Sequence, residues 1–202
     1  MKKWFYIILT ILLIIFFSLI FDFATPLLKE KKETQISVLE LDKNVEDINL
    51  KPLNCYKIEE KKVRGNSLQG LIEDGQIVKV LLGYYDCHQI ERDDIILFTH
   101  GSSENPLIKI VKGIPGDKFN LQETAGGWHI LINENILKNT LEKPYLIDQS
   151  GYKMLSLYIV DHNGIIPEQA LLIMGNLTFG TTDSSRLGLI SIRDVLGRAK
   201  PL

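Results

Sequence analysis

Apolar positions in this chain fall into one long block at the N-terminus and a series of short runs after residue 62. The short runs are QIVKVLLGYY (76–85), DIILFTH (94–100), PLIKIVKGI (106–114), GWHILI (127–132), MLSLYIV (154–160), QALLIMG (169–175) and LGLISI (187–192). They are apolar throughout or alternate with polar residues, as strands buried on both faces or on one face do. Turn clusters separate them: Gly101-Ser102-Ser103, Pro115-Gly116-Asp117, Gly126-Gly127, Asn163-Gly164 and Asp183-Ser184-Ser185. Strands at this spacing predict a mainly β domain, an antiparallel barrel or sandwich. No long stretch of helical period follows the N-terminal block.

That block reads differently. Lys2 and Lys3 precede an uncharged apolar run from Trp4 to Phe21. A bilayer core is crossed by about 20 apolar residues, with a lower limit near 17, so the run is long enough for one transmembrane helix. The two lysines place its N-terminus in the cytoplasm and the rest of the chain on the outer face of the plasma membrane. The alternative is a cleaved secretory signal. Its apolar part would be shorter, about 7–15 residues, and would end in a small-x-small site. Here Asp22-Phe23-Ala24-Thr25-Pro26 follows, a poor cleavage site. No cysteine stands at the end of the run, which argues against a lipoprotein.

Residues 28–62 are charged and mixed. Ile36-Ser37-Val38-Leu39-Glu40-Leu41 alternates and predicts one short strand, and the Lys/Glu run is a solvated face. The expected organisation is an anchor over 1–22, a tether and lead-in over 23–62, and a β-rich domain over 63–202.

Composition narrows the function. The chain has 202 residues, 45% hydrophobic and 24% charged, enough for one domain with a sizeable core. A formal net charge of -2 gives no basic surface for nucleic acid. Cys55 and Cys87 are the two cysteines, free to pair in an oxidising compartment or to remain thiols. The histidines are scattered, with no HExxH and no paired CxxC, so neither a metal site nor a cofactor is expected.

Candidate chemistry starts at Gly65-Asn66-Ser67, a small polar knot just before the Asp74-Gly75 turn and an apolar strand. A serine hydroxyl needs a base to act as a nucleophile. No histidine here has a triad context. A lysine can serve if burial strips its proton, because burial disfavours the charged form. PLIKIVKGI offers Lys109, on one strand face with Leu107 and Val111, and Lys112, on the other with Ile108 and Ile110. Periodicity does not choose between them. The plain alternative for each is a packed stem with its head in water, and for Ser67 a solvated turn.

These residues resemble the type I signal peptidases, membrane-anchored proteases that use a serine and a lysine. Gly65-Asn66-Ser67-Leu68-Gln69-Gly70-Leu71-Ile72 falls on the family's Gly-x-Ser-Met-x-Pro-Thr-Leu motif, with Leu68 for Met and Gly70-Leu71 for Pro-Thr. Lys109-Ile110-Val111-Lys112-Gly113-Ile114-Pro115-Gly116-Asp117 falls on Lys-Arg-x-x-Gly-x-Pro-Gly-Asp, which makes Lys109 the implied base. Ile166-Pro167, Met174-Gly175-Asn176, Asp183-Ser184, Arg186, Gly188 and the closing Gly197-Arg198-Ala199 follow in family order. Here Asn176 replaces an aspartate, Leu177 replaces an asparagine, and Ser185 moves Arg186 one place later. The resemblance runs from about Val63 to Ala199.

The resemblance implies a serine endopeptidase that removes signal peptides from exported preproteins. Ser67 is the implied nucleophile and Lys109 the implied general base. The Ser67 N–H is the natural oxyanion donor. Gly65 stands where some members carry a second donor hydroxyl. Thr181 falls on the serine that orients the lysine, and Asp183 lies beside it in a supporting place. Leu68 and Ile72 are the expected neighbours of the shallow pockets for small side chains. Preproteins with small residues before the cleavage site, and the lipid membrane, are the implied partners. Two other readings remain: a specialised processing protease of the same chemistry, maturing pilin-type subunits, and an inactive anchored module that binds peptides.

Overall fold

In the computed structural model, residues 55–101 and 105–202 are described. The unit they belong to runs from Asn54 to Leu202. The expected anchor and the strand expected over 36–41 lie outside the described residues. Among the described residues no helix is long and apolar enough to cross a membrane.

The strands are, in chain order, β1 (Lys57–Lys62), β2 (Ile77–Leu82), β3 (Ile95–Phe98), β4 (Leu107–Gly113), β5 (Phe119–Thr124), β6 (Gly127–Ile132), β7 (Asn135–Ile136), β8 (Ala170–Met174), β9 (Ile190–Ser191) and β10 (Val195–Pro201). Helix α1 spans Gln149–Asp161 and the one-turn α2 spans Ser184–Leu187. A seven-stranded sheet takes the order β1-β2-β10-β3-β4-β8-β9, and a three-stranded sheet the order β5-β6-β7. Every recorded pair is antiparallel.

The larger sheet stays open, which corrects the barrel half of the expectation. Its edges are β1, which pairs with β2, and β9, which is two residues long. The β1 sequence KIEEKK is charged at five of six positions, a composition that blunts an edge against further pairing. β1 lies at the end of the segment 23–62.

Three apolar clusters form the core, and one of them joins the two sheets. Val63, Leu68, Ile72, Val78, Val80, Leu97, Ile110 and Ala199 form one, under the β1–β2 end. Ile96, Phe98, Val111, Leu171, Ile173 and Ile190 form a second. Phe119, Ile130, Ile132, Tyr145, Leu155, Ile166, Leu172 and Met174 join the small sheet and α1 to β8. β4 lies between β3 and β8 and is buried from Lys109 through Gly113. Apolar residues therefore face core on both sides of it, as the near-continuous run 107–114 indicates.

The run MLSLYIV, expected as a strand, lies in α1 instead. A short apolar run does not separate strand from helix by itself. Here Asp148 decides: it caps the helix by accepting from the Gly151 N–H at 2.9 Å. Gly151 and Leu155, four apart, then form the buried stripe, while Leu157 and Val160 are exposed. LGLISI gives only the short β9 and a 3-10 turn.

Candidate active site

Ser67 sits in a tight turn made by its own neighbours. Gln69 N–H donates to Asn66 O, and the Leu71 and Ile72 N–H groups both donate to Leu68 O, each at 2.9 Å. Leu68 and Ile72 are buried in the cluster beneath the turn, 1% and 0% exposed. They anchor the turn from below, directly beside Ser67 in the chain. Gly65 opens the turn at φ +89, a left-handed value that favours glycine, and its N–H donates to Asp74 Oδ1 at 2.7 Å. A Cβ at Gly65 would meet nothing within 4 Å, so the approach to Ser67 from that side is open.

Lys109 reaches the turn from the middle of β4. Its Nζ donates to Ser67 Oγ at 2.8 Å and to Ile108 O at 2.9 Å. The residue is 4% exposed. Burial pushes the ammonium down to about 8, partly opposed by the negative charge of Asp183. A substantial neutral fraction is therefore present at mildly alkaline pH.

Lys112 is equally buried but committed elsewhere. It sits at a register shift between Val111 and Gly113, where its Nζ bonds Asp93 Oδ1 at 2.6 Å. The geometry thus separates two lysines that periodicity left equivalent, and neither has its head in water. Next to that pair, Arg92 donates to Lys112 O at 2.6 Å and to both oxygens of Asp117 at 2.8 Å. Asp117 also accepts from Ile114 N–H and Asn133 Nδ2, each at 2.8 Å. The Pro-Gly-Asp turn is a charge-locked corner at the end of β4.

Behind Ser67 lies the exit of β8. Gly175 is packed so closely that a Cβ would meet Ser67 O and Thr181 Cγ2, each at 2.7 Å, so only glycine fits. Thr181 donates its hydroxyl to Asp183 Oδ2, not to Lys109. Asp183 accepts from Gly175 N–H at 3.2 Å and caps α2 through Ser185 N–H at 3.0 Å. Thr181 and Asp183 lie 8% and 2% exposed, and Asp183 acts on Lys109 through its charge. The residue that grips the serine turn is Asn176, 1% exposed, whose N–H donates to Ser67 O at 2.6 Å. In the sequence Asn176 stands out only as a departure from the family pattern. No motif there marks Tyr145, whose hydroxyl donates to Gly175 O at 2.6 Å, or the Asn139–Thr140 pair that bonds Asn176. A buried tyrosine and asparagine in a polar loop were the available signal, since buried polar groups are bonded.

Cys55 and Cys87 are joined as a disulfide, with Cα atoms 6.3 Å apart. His88 Nδ1 lies 2.9 Å from Cys87 Sγ and 3.9 Å from Cys55 Sγ. These three groups come within 4.8 Å of one another, but the bond between the sulfurs uses two of them.

Known proteins similar to this chain are signal peptidases. Signal peptidase I of Bacillus caldolyticus is 25% identical over 139 residues, covering 67% of this chain and 74% of that protein. Signal peptidase IB of Staphylococcus aureus (strain COL) is 24% identical over 149 residues, covering 67% and 72%. The crystal structure of a signal peptidase I from Enterococcus faecalis V583 aligns with 55% of this chain and 97% of that chain, at 20% identity and a TM-score of 0.38. The family model for signal peptidase, peptidase S26, matches residues 53–202, from just before β1 through β10 to the last residue. That match takes in about three quarters of the chain, and the chain belongs to the signal peptidase family, peptidase S26.

Proposed function

We propose that this chain is a serine endopeptidase that removes signal peptides from exported preproteins, with Ser67 as nucleophile and Lys109 as general base. The observation that carries the reading is the 2.8 Å contact between Lys109 Nζ and Ser67 Oγ, made by a lysine whose ammonium burial pushes down to about 8. Neutral Lys109 takes the Ser67 hydroxyl proton as Oγ attacks the carbonyl carbon after a small residue. The Ser67 N–H donates to the developing oxyanion. Collapse breaks the C–N bond, and Lys109 passes its proton to the leaving amine. Water then attacks the ester, giving its proton to Lys109; collapse breaks the bond between the acyl carbon and Oγ, and Lys109 returns the proton to Ser67 Oγ as the acid leaves. No step needs a metal or a cofactor.

The segment before the folded unit belongs to the same proposal. An anchor over residues 1–22 would hold the site at the outer membrane surface, where cleavage sites emerge, and so raise their effective concentration. The test is cleavage of a model preprotein carrying an Ala-x-Ala site, by full-length protein in liposomes. The expected result is a single cut after the small residue, lost in both Ser67→Ala and Lys109→Ala. Retained cleavage in either variant would sink the assignment. No cleavage by the unmutated, folded protein would favour a specialised substrate or a binding module.

A further inference from the structure

Asn176 has every polar group engaged, and its partners lie on two separate segments. On the serine turn, its N–H donates to Ser67 O at 2.6 Å and its Nδ2 donates to Gln69 O at 2.9 Å. On the loop between β7 and α1, its Oδ1 accepts from Thr140 N–H at 3.1 Å and Thr140 Oγ1 at 2.8 Å. Its own carbonyl accepts from Asn139 Nδ2 at 2.7 Å. Asn139 in turn gathers the loop, its Oδ1 accepting from the Leu141 and Lys143 N–H groups, each at 2.9 Å. The chemistry of these partners fixes which way the amide faces. A carbonyl such as Gln69 O only accepts, and the Thr140 N–H only donates. The site therefore demands a side chain that donates on one edge and accepts on the other. An aspartate, the residue of the family pattern at this position, would set an oxygen against the Gln69 carbonyl.

We propose that Asn176 is a positioning residue: its backbone N–H at Ser67 O and its carboxamide at Gln69 O hold the nucleophile's turn, and the carboxamide couples the placement of Ser67 against Lys109 to the loop 139–145. The clamp rests on the proposed roles of Ser67 and Lys109. It holds two carbonyls, at Ser67 and two residues on, so the turn cannot rotate Oγ away from Nζ without breaking both bonds. Gly175 makes the close approach possible, since any side chain there would strike Ser67 O.

The test uses a thiol reporter in the full chain. The native cysteines are paired, so Ser67→Cys supplies the single free thiol. Its alkylation by iodoacetamide, followed against pH, gives its apparent pKa. A lysine in contact lowers that value from about 8.5. We expect a depressed value in Ser67→Cys, a return to about 8.5 or above when Lys109→Met is added, and a partial return, roughly half a unit or more, when Asn176→Ala is added instead. In the otherwise unmutated protein, Asn176→Ala should lower kcat about 10- to 100-fold with KM held within about threefold, as a small misplacement of a reacting group does. Thr140→Val, at an exposed residue, removes one bond to the clamp and should lower kcat about threefold; it carries the test if Asn176→Ala does not fold. A thiol indifferent to Lys109→Met overturns the pairing of Ser67 with Lys109. A thiol that responds to Lys109→Met but not to Asn176→Ala, or to Thr140→Val where that variant stands in, overturns the clamp alone.

Discussion

At the scale of single residues, the site is costly to the fold that carries it. Lys109 is 4% exposed, and burial pushes it down to about 8. Below that pH folding must bury a charge that the unfolded chain keeps in water, so the penalty is fully present there. It fades as pH rises from about 8 toward the unfolded value near 10.4, because the unfolded state binds more protons across that window. The penalty is on the order of 3 kcal/mol, offset in part by the bonds to Ser67 and Ile108. Lys109→Met should therefore be more stable than the unmutated protein at pH 7 in denaturant unfolding, with the gain shrinking by pH 10. A gain that does not vary with pH, or none at pH 7, would count against the burial argument. Peptidase activity should follow the opposite course, rising through about pH 8 as Lys109 loses its proton.

At the scale of elements, β4 and the corner after it place the lysine. Asp117 is 7% exposed and holds Arg92 in a two-oxygen pair, while Arg92 is about one-third exposed. Removing one partner of a fully buried pair costs roughly 3–5 kcal/mol, and solvent at Arg92 reduces that. Asp117→Ala should cost about 2–3 kcal/mol in unfolding free energy, with a smaller loss for Asp117→Asn, which keeps one acceptor. A change within about 0.5 kcal/mol in Asp117→Ala would show that the corner is not locked this way. This corner was legible in the sequence because Pro-Gly-Asp is a local signal, and so was the strand before it. Helix α1 was not, because MLSLYIV lacks a visible period and its cap, Asp148, lies six residues upstream. β10 was read only as a motif. Its structure explains that motif: Arg198 pairs with the 2%-exposed Asp94 at 2.7 Å, and Ala199 is buried between strands. The role of Asn176 depends on contacts to Ser67 and Gln69 across more than a hundred residues of chain, which no local pattern encodes.

At the scale of the whole unit, the disulfide ties its first residues to the turn after β2. Cys55 and Cys87 are 32 residues apart. Closing a loop of that length removes unfolded-state entropy worth about 3–4 kcal/mol at 25 °C. Reduction, or the double variant Cys55→Ser/Cys87→Ser, should lower the unfolding free energy by up to that amount while leaving the Ser67–Lys109 contact in place. Loss of catalysis in a folded, reduced protein would show instead that the bond shapes the site.

The same bond sets a path for force. Tension entering the unit from Asn54 reaches Cys55 and crosses the sulfur–sulfur link to Cys87. It therefore bypasses residues 56–86, which hold β1, β2 and the serine turn. A pull from the N-terminal side would neither unzip the edge strand nor stretch the nucleophile's segment, which is mechanically slack whenever the link is closed.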